Sequence, residues 1–190
     1  MATTAAILAG GRSERMGSDK ALLSVDGIPL LVRMARIAQE VTPRVLVVGR
    51  ARPFDWPFPG VSFVPDAMPG LGPLGGLMTA LRAAGDDTVL ALACDMPLLT
   101  ADALRWLLNA GTTHALADGV VTVNRSQVEP LFALYTAACL PLVESRIGEN
   151  RCSLHGLIEA GAFGRIQAPP EIAATLVNMN TPADFAALIS

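Results

Sequence analysis

Residues 4–20 read TAAILAGGRSERMGSDK, in which a short apolar run is followed at once by a glycine-rich segment. The run from Thr4 to Leu8 predicts a strand, because continuous apolar residues are typical of strands that are covered on both faces of a sheet. Gly10 and Gly11 end this strand and begin a loop that extends to Lys20. The chain is therefore expected to start with a buried strand that carries a glycine-rich loop at its carboxyl end.

This loop has the composition of a phosphate-binding site. Glycines let a backbone approach a ligand closely and adopt positive φ, and a run of exposed amide N–H groups forms a concave anion site. Arg12, Arg15 and Lys20 add cationic donors that suit a triphosphate. The loop lacks both the GxGxxG spacing of a Rossmann fingerprint and the Gly-Lys-Ser/Thr of a Walker loop. From these residues alone, an ordinary glycine-rich turn with solvated charges remains the alternative.

The rest of the chain alternates between strand and helix patterns, apart from a loop with three prolines at Arg52 to Gly60. Further strands are predicted at residues 45–48, 61–64, 88–93, 119–123 and 129–135, and helices at 29–39, 74–84, 101–110, 137–146, 153–160 and 182–189. Such repetition predicts a mostly parallel sheet with helices on both faces. The strands 119–123 and 129–135 are expected to pair near a sheet edge, not all parallel, and a ligand is expected at the strands' carboxyl ends.

The composition limits the classes of function. A length of 190 residues with 52% hydrophobic and 16% charged residues fits one folded domain, residues 1–190. No stretch of about 20 apolar residues and no secretory signal occurs, so we expect a cytoplasmic protein that does not enter a membrane. A net charge of −3 without a basic cluster indicates no nucleic-acid partner. Three scattered cysteines predict reduced thiols rather than a zinc cluster or disulfides.

A lone carboxylate, Asp95, follows the apolar run Val89 to Ala93. Mg²⁺ usually takes one or two carboxylates, with phosphate oxygens and water as its other ligands, so one well-placed aspartate suffices. Position alone leaves a helix N-cap or a solvated turn as an equal alternative, and Pro97 favours a turn. Cys94 has no nearby histidine or cation to activate it as a nucleophile, which favours a buried small residue.

Two further segments carry polar groups next to predicted helices. Residues 65–76 read PDAMPGLGPLGG, and free N–H groups at a helix start favour an anionic or polar ligand. Asn178 and Asn180 precede the predicted last helix, and asparagine offers both a donor and an acceptor. The alternatives are a turn before a helix in the first segment, and a Thr181 cap with backbone-bonded asparagines in the second.

Residues 8–20 resemble the LAGGxSxRMGxDK signature of the molybdenum cofactor guanylyltransferases, within the sugar-nucleotide pyrophosphorylase-like superfamily. Residues 94–97 are similar to the Cys-Asp-x-Pro segment of that family, and the segment after Val177 resembles its NxNTPxD element. The resemblance implies a single three-layer αβα Rossmann-like nucleotidyltransferase domain with Mg²⁺ as cofactor. It assigns GTP binding to Leu8, Ala9, Gly10, Gly11, Lys20, Asp66, Gly72 and Asp95, catalysis to Arg15, Lys20 and Asp95, the metal to Asp95, and acceptor binding to Asn178 and Asn180.

The implied reaction transfers GMP from GTP to the terminal phosphate of molybdopterin and releases pyrophosphate. The family also implies contacts with other proteins of molybdenum cofactor biosynthesis or with recipient proteins. The alternatives are a cytidylyltransferase on the same acceptor, a nucleotidyltransferase on another small phosphorylated acceptor, and a regulatory protein that binds nucleotide without turnover.

The sequence departs from the family at three places. Gly75 replaces the alanine of GPLAG, Cys152 splits an Arg-Ser-Leu element, and Gly49 stands where some relatives carry an asparagine that reads guanine. The same family has a strand at Glu129 to Tyr135 that lines the acceptor side, although the apolar content of this segment indicates core.

Overall fold

The computed structural model describes residues 2–10 and 23–179 and contains a seven-stranded sheet. Its strands are β1 (Thr3–Leu8), β4 (Arg44–Val48), β5 (Val61–Val64), β6 (Thr88–Ala93), β7 (Gly119–Asn124), β8 (Gln127–Tyr135) and β9 (Phe163–Gln167); β2 (Ser24–Val25) and β3 (Ile28–Pro29) form a separate small hairpin. The order across the sheet is β5-β4-β1-β6-β8-β7-β9. Only β8 runs against its neighbours, so the predicted mostly parallel sheet with an antiparallel portion in the C-terminal half is confirmed.

Helices cover both faces of this sheet. They are α1 (Leu30–Gln39), α2 (Gly72–Ala84), α3 (Ala101–His114), α4 (Leu140–Gly148), α5 (Leu154–Ala160) and α6 (Pro170–Ala173). Successive strand residues point to opposite faces, so Ile7 packs in the core under α1 and α3 while Leu8 packs in the core under α2, α4 and α5. The two cores give the three-layer αβα architecture that the sequence predicts. Among the described residues, no helix is both long and apolar enough to span a bilayer.

Several helix boundaries differ from the prediction. α1 begins at Leu30 because Pro29 still belongs to the small hairpin, and α2 begins at Gly72, two residues before the predicted start. α3 continues past Ala110 to His114, although glycine disfavours a helix interior. A Cβ at Gly111 would collide with the side chain of Leu134, so this glycine lets the helix lie close to the sheet. The cap by Thr100 is confirmed, since its hydroxyl accepts from the Ala103 N–H.

The C-terminal half also differs in detail. The predicted helix 137–146 is a 3₁₀ turn at Ala137–Cys139 followed by α4, and the helix at 153–160 starts one residue later because Ser153 is its N-cap. β9 and α6 are present in the structure but are not predicted by the sequence pattern. In β9, Gly164 and Arg165 break the apolar pattern, and a Cβ at Gly164 would collide with the His114 carbonyl oxygen. The predicted helix 182–189 lies outside the described residues.

β8 contains an irregularity that shapes one end of the sheet. Its register against β7 shifts between Val121 and Thr122, so that Val121 pairs with Ala133 and Thr122 with Glu129. The extra residues on β8 bulge outward, and the buried Tyr135 hydroxyl donates to the Pro130 carbonyl oxygen within this bulge at 2.8 Å. This hydrogen bond ties the bulge to the core.

Tyr135 is the single tyrosine of the chain, which makes its ionisation directly observable. Burial, reinforced by the neighbouring Cys139 thiol, raises the pKa of Tyr135 far above its ordinary value of about 10. The folded protein is therefore expected to show little tyrosinate absorbance at about pH 11, whereas the chain in concentrated urea titrates near 10.

Because the unfolded chain loses this proton before the folded one does, the stability contributed by the neutral phenol is present below about pH 10 and falls as the pH rises further. Tyr135→Phe is the control that must remove the absorbance change altogether. Ionisation near pH 10 in protein that still gives a native circular dichroism spectrum would contradict the buried phenol.

Candidate active site

The loops that follow four parallel strands meet at one edge of the sheet. β5, β4, β1 and β6 are adjacent and parallel, so their carboxyl ends lie side by side. The loops that continue from these ends bring in Gly10 after β1, Gly49 after β4, Asp66 after β5 and Asp95 after β6. The ligand position expected from the sequence is therefore the position where the structure gathers the predicted residues.

The loops after β1 and β4 are in direct backbone contact. The Ala9 N–H donates to the Val48 carbonyl oxygen at 3.0 Å. The Gly49 N–H in turn donates to the Val64 carbonyl oxygen at 2.9 Å. Gly49 has a φ of +85°, and a Cβ built on it would lie 2.7 Å from the Gly10 Cα. Both the left-handed backbone and this contact require glycine at position 49. The missing base-reading asparagine therefore has a structural reason: no side chain fits there.

Asp66 is half-buried and anchors the second glycine-rich loop. Its Oδ1 accepts from the Met68 N–H at 3.1 Å and from the Thr79 hydroxyl at 3.3 Å. A Cβ at Gly75, in the first turn of α2, would lie 2.9 Å from the Leu71 Cβ, which favours glycine over alanine at this position. Gly72 starts α2 with a φ of +61°, and no side chain caps this helix. The first turn of α2 thus presents backbone N–H groups at the same edge of the sheet.

Asp95 is half-buried in a turn directly after β6. It does not cap α3, which is capped by Thr100 five residues later. The Asp95 carbonyl oxygen accepts from the Met179 N–H at 2.9 Å, and Met179 is itself buried against Val25 and Leu30. This contact brings Asn178 beside Asp95, although the two lie far apart in the sequence. Cys94, which the sequence predicts to be a buried small residue, is half-buried.

A cavity of about 530 Å³ opens next to Asp95, on the side of β8 and α5. Its polar lining consists of Asp95, Gln127, Glu129, Ser153, His155 and Asn178. Its volume falls in the range of about 300–1,000 Å³ that is typical of small-molecule sites. The apolar part of the lining comes from the bulge of β8, from α2 and from the start of α5.

Glu129 is a second half-buried carboxylate of this cavity, beside Asp95. Its Oε1 accepts from the Asn124 amide at 3.3 Å. Burial raises the pKa of Glu129 above its ordinary value, while the Asn124 hydrogen bond and the positive charge of His155 partly oppose that shift. In the sequence, the apolar residues of the segment Glu129 to Tyr135 indicate core, while the family resemblance implies a strand that lines the acceptor side. The register shift in β8, which carries Glu129 into the cavity, leaves no signal in a single sequence.

The Arg-Ser-Leu element that Cys152 splits reaches the cavity only in part, since Ser153 lines it and Arg151 does not, and some predicted site residues cannot be placed. Arg151 pairs with Glu149 at 3.4 Å and is exposed, and the Ser153 hydroxyl accepts from the Gly156 N–H as the cap of α5. Neither residue gains support as an acceptor ligand from these contacts. Four predicted residues lie outside the described residues: Gly11, Arg15, Lys20 and Asn180.

Asp95 is compatible with a magnesium site that depends on its substrate. Among residues 2–10 and 23–179, no cluster of three or more His, Cys, Asp or Glu side chains could hold a metal ion by itself. Mg²⁺ commonly takes one or two carboxylates and completes its shell with phosphate oxygens and water. The donor set at the end of β6 fits an ion of this kind, held jointly with a bound triphosphate.

A mostly parallel αβα sheet, with glycines at the ends of its strands and with Asp66 and Asp95 at its carboxyl edge, has the arrangement of a nucleotidyltransferase. A family model described as "MobA-like NTP transferase domain" matches residues 5–162, and the chain belongs to this family. It is 37% identical over 195 residues to the "Probable molybdenum cofactor guanylyltransferase" of Deinococcus radiodurans, covering 97% of this chain and 93% of the relative. A protein with the same name from Pelotomaculum thermopropionicum is 32% identical over 187 residues, covering 96% of this chain and 89% of the relative.

Solved structures show the same fold. The "Molybdopterin-guanine dinucleotide biosynthesis protein A" of Archaeoglobus fulgidus superposes with a TM-score of 0.80 at 21% identity, covering 98% of this chain and 96% of that one. A putative protein from Aquifex aeolicus gives 0.77 at 28% identity, covering 95% of this chain and 94% of that one.

The contact between Gly10 and Gly49 leads to a test of the nucleotide loops. Gly49→Ala should lower stability by about 2–3 kcal/mol and weaken GTP binding by at least about tenfold, since the new methyl group must push the two loops apart. Denaturant unfolding and calorimetry with GTP measure the two effects.

Gly85→Ala is a matched control for this variant, because Gly85 also has a positive φ, +69°, but a Cβ there would meet nothing within 4 Å. The control loses stability only through its backbone, because φ +69° with ψ −125° is a conformation that essentially only glycine adopts, and it should bind GTP normally. Equal losses of GTP affinity in Gly49→Ala and Gly85→Ala would show that the contact with Gly10 has no effect on the site.

Proposed function

We propose that this nucleotidyltransferase transfers GMP from GTP to the terminal phosphate of molybdopterin, releasing pyrophosphate and forming the guanine dinucleotide cofactor. The observation that carries the proposal is the two-sided arrangement around Asp95. The loops after β5, β4 and β1 lie on one side of it in the sheet order, and the cavity beside β8 lies on the other. A donor and an acceptor can thus approach one carboxylate from opposite sides. The names of the relatives support guanylyl transfer to the molybdenum cofactor.

The nucleotide belongs on the side of the two glycine-rich loops. Leu8, Ala9, Gly10 and Gly11 would supply backbone contacts to the base, and Asp66 and Gly72 would shape the pocket for base and ribose. Arg15 and Lys20 would hold the β- and γ-phosphates, because guanidinium and ammonium groups stabilise the charge of a leaving pyrophosphate. Gly49, in the loop after β4, lies between these two loops: a Cβ on it would be 2.7 Å from the Gly10 Cα and 3.9 Å from the Asp66 Cβ.

The acceptor belongs in the cavity beside β8. Asn178 lines this cavity and is held near Asp95 by the hydrogen bond of Met179, which supports its predicted role in acceptor binding. Asn180 is proposed for the same role from its place in the sequence. A cavity of about 530 Å³ holds a small phosphorylated molecule and does not admit a macromolecule.

The chemistry requires positioning and charge stabilisation rather than a covalent intermediate. The acceptor phosphate is already an anionic nucleophile, so its oxygen attacks the α-phosphorus of GTP while the bond to the pyrophosphate oxygen breaks. Asp95 would hold Mg²⁺, which when bound neutralises phosphate charge and orients the phosphate oxygens. The protein's own contribution is to fix the two substrates on either side of Asp95.

The proposal extends to the cellular setting. Its proposed substrates are small molecules, and no helix among the described residues could span a membrane. We therefore propose that the enzyme acts in the cytoplasm. Its product must then reach enzymes that use it, so we also propose contacts with other proteins of molybdenum cofactor biosynthesis or with recipient proteins.

Asp95→Asn tests the catalytic centre. The substitution keeps the size of the side chain and the backbone hydrogen bond to Met179 but removes the anionic oxygen ligand, so kcat should fall by about 10²-fold or more. Product formation is followed by mass measurement with GTP, Mg²⁺ and molybdopterin. Asp102→Asn, on the exposed first turn of α3, is a control that should keep its activity. Near-normal turnover of Asp95→Asn at saturating Mg²⁺ would remove Asp95 from the mechanism.

The second test concerns the base. We expect kcat/KM to be at least about 10²-fold higher for GTP than for CTP, because a pocket that hydrogen-bonds one base leaves buried groups unpaired with the other. With glycine required at position 49, this selection must come from backbone groups of the loops and from Asp66. A panel of four nucleoside triphosphates at matched Mg²⁺ measures it. Equal or better use of CTP would favour a cytidylyltransferase and leave the transferase mechanism intact.

A further inference from the structure

Glu129 lines the cavity, whereas a core residue would be enclosed by other side chains. It lies on the part of β8 that projects beyond the end of β6, since Leu92 of β6 already pairs with Phe132. The register shift against β7 lets residues 127–131 form one wall of the cavity, and His155 at the start of α5 also lines it. The carboxylate therefore faces space that the acceptor is proposed to fill.

The charge of Glu129 determines which part of the acceptor it can contact. The acceptor phosphate must reach the α-phosphate of the nucleotide next to Asp95, and a second carboxylate would repel that phosphate. A half-buried carboxylate is instead stabilised by hydrogen-bond donors. Glu129 must therefore meet a donor-rich end of the acceptor, away from its phosphate.

The hydrogen-bonding capacity of Glu129 is only partly used. A carboxylate offers about four acceptor positions on its two oxygens. In the described part of the chain, the Asn124 amide occupies one position on Oε1 and fixes the orientation of the group. The remaining positions suit two parallel N–H donors, as in the bidentate pairing of a carboxylate with a guanidinium.

We propose that Glu129 recognises the ring of the acceptor by accepting two hydrogen bonds from the adjacent 2-amino and N3–H donors of a 2-amino-4-oxo pyrimidine edge, the edge that a pterin carries. The inference rests on the proposed function, because it takes molybdopterin as the acceptor. It assigns the cavity two ends: Asp95 and Asn178 at the phosphate, and Glu129 at the ring. Glu129 is a specificity-determining residue and takes no part in the chemical step.

Two small rings that differ at one position test this assignment. Pterin has an amino group at C2, whereas lumazine has a carbonyl oxygen there and keeps the N3–H. The wild-type enzyme should bind pterin at least about tenfold more tightly than lumazine, since the carboxylate would face the lumazine oxygen without a donor between them. Fluorescence titration of the full-length protein with each ring, in the presence of GTP and Mg²⁺, measures this preference.

Glu129→Gln should reverse the preference. The glutamine oxygen can still accept from N3–H and from Asn124, while its NH₂ group donates to the lumazine oxygen and is unfavourable opposite the pterin amino group. The KM for GTP and the melting temperature should be unchanged. Glu149→Gln makes the same chemical change on the exposed end of α4 and should keep the wild-type preference. Glu129→Asp retains the charge on a shorter side chain, so it should bind pterin more weakly without any reversal.

The outcomes separate this inference from the proposed function. Wild-type protein without a pterin preference, or a Glu129→Gln variant that keeps it, overturns the role of Glu129 even if GMP is transferred to molybdopterin. Conversely, a preference that depends on Glu129 in an enzyme that does not transfer GMP to molybdopterin supports the ring site and overturns the proposed reaction. Should Glu129→Gln fail to fold, the wild-type preference and Glu129→Asp still decide the question.

Discussion

β1 pairs in parallel with β4 on one side and with β6 on the other, and its residues from Thr4 to Ile7 are fully buried. This double pairing fixes where three carboxyl ends lie, and therefore where the loops after them begin. Alanines at positions 5 and 6 keep the strand thin, so that a helix layer can pack on each face. A displaced β1 would separate the nucleotide loops from Asp95, since every element of the nucleotide side is positioned relative to this strand.

The site combines anionic side chains with anionic substrates. Asp66, Asp95 and Glu129 are all half-buried at one edge of the sheet, and both proposed substrates carry phosphates. Each carboxylate therefore needs a hydrogen-bond donor or a cation as its partner. Asp66 has the Met68 N–H and the Thr79 hydroxyl, Glu129 has the Asn124 amide, and Asp95 is suited to a divalent cation. In the proposed reaction this division would keep the phosphates near Asp95 and away from the other two.

The parts of the structure that depend on local patterns were predictable from the sequence. The central strands appear as continuous apolar runs, and Thr100 precedes α3 with a hydroxyl suited to capping, so these strands agree with the structure to within a residue and the start of α3 agrees as well. β9 and the bulge of β8 were not predictable, because they arise from tertiary contacts. Gly164 reflects the approach of the His114 carbonyl, and Glu129 enters the cavity through a register shift. The residues alone predict a nucleotide side more readily than an acceptor side, because glycine-rich loops are contiguous in sequence, whereas the cavity is assembled from five separate segments and was anticipated only through the family resemblance.

The hydrogen bond from Met179 to Asp95 has a consequence for how the protein is made. A chain emerging from the ribosome can pair β1, β4, β5 and β6 as soon as residue 93 is available, because domains begin to form during synthesis. The Asp95 turn, however, waits for residue 179, so its contact is among the most distant in sequence and is expected to form late. A nascent chain can therefore pair the strands of the nucleotide side well before the turn that carries Asp95 is held in place. The proposed centre becomes fully ordered only once the segment around Met179 has been made, so its two sides are completed at different stages of synthesis.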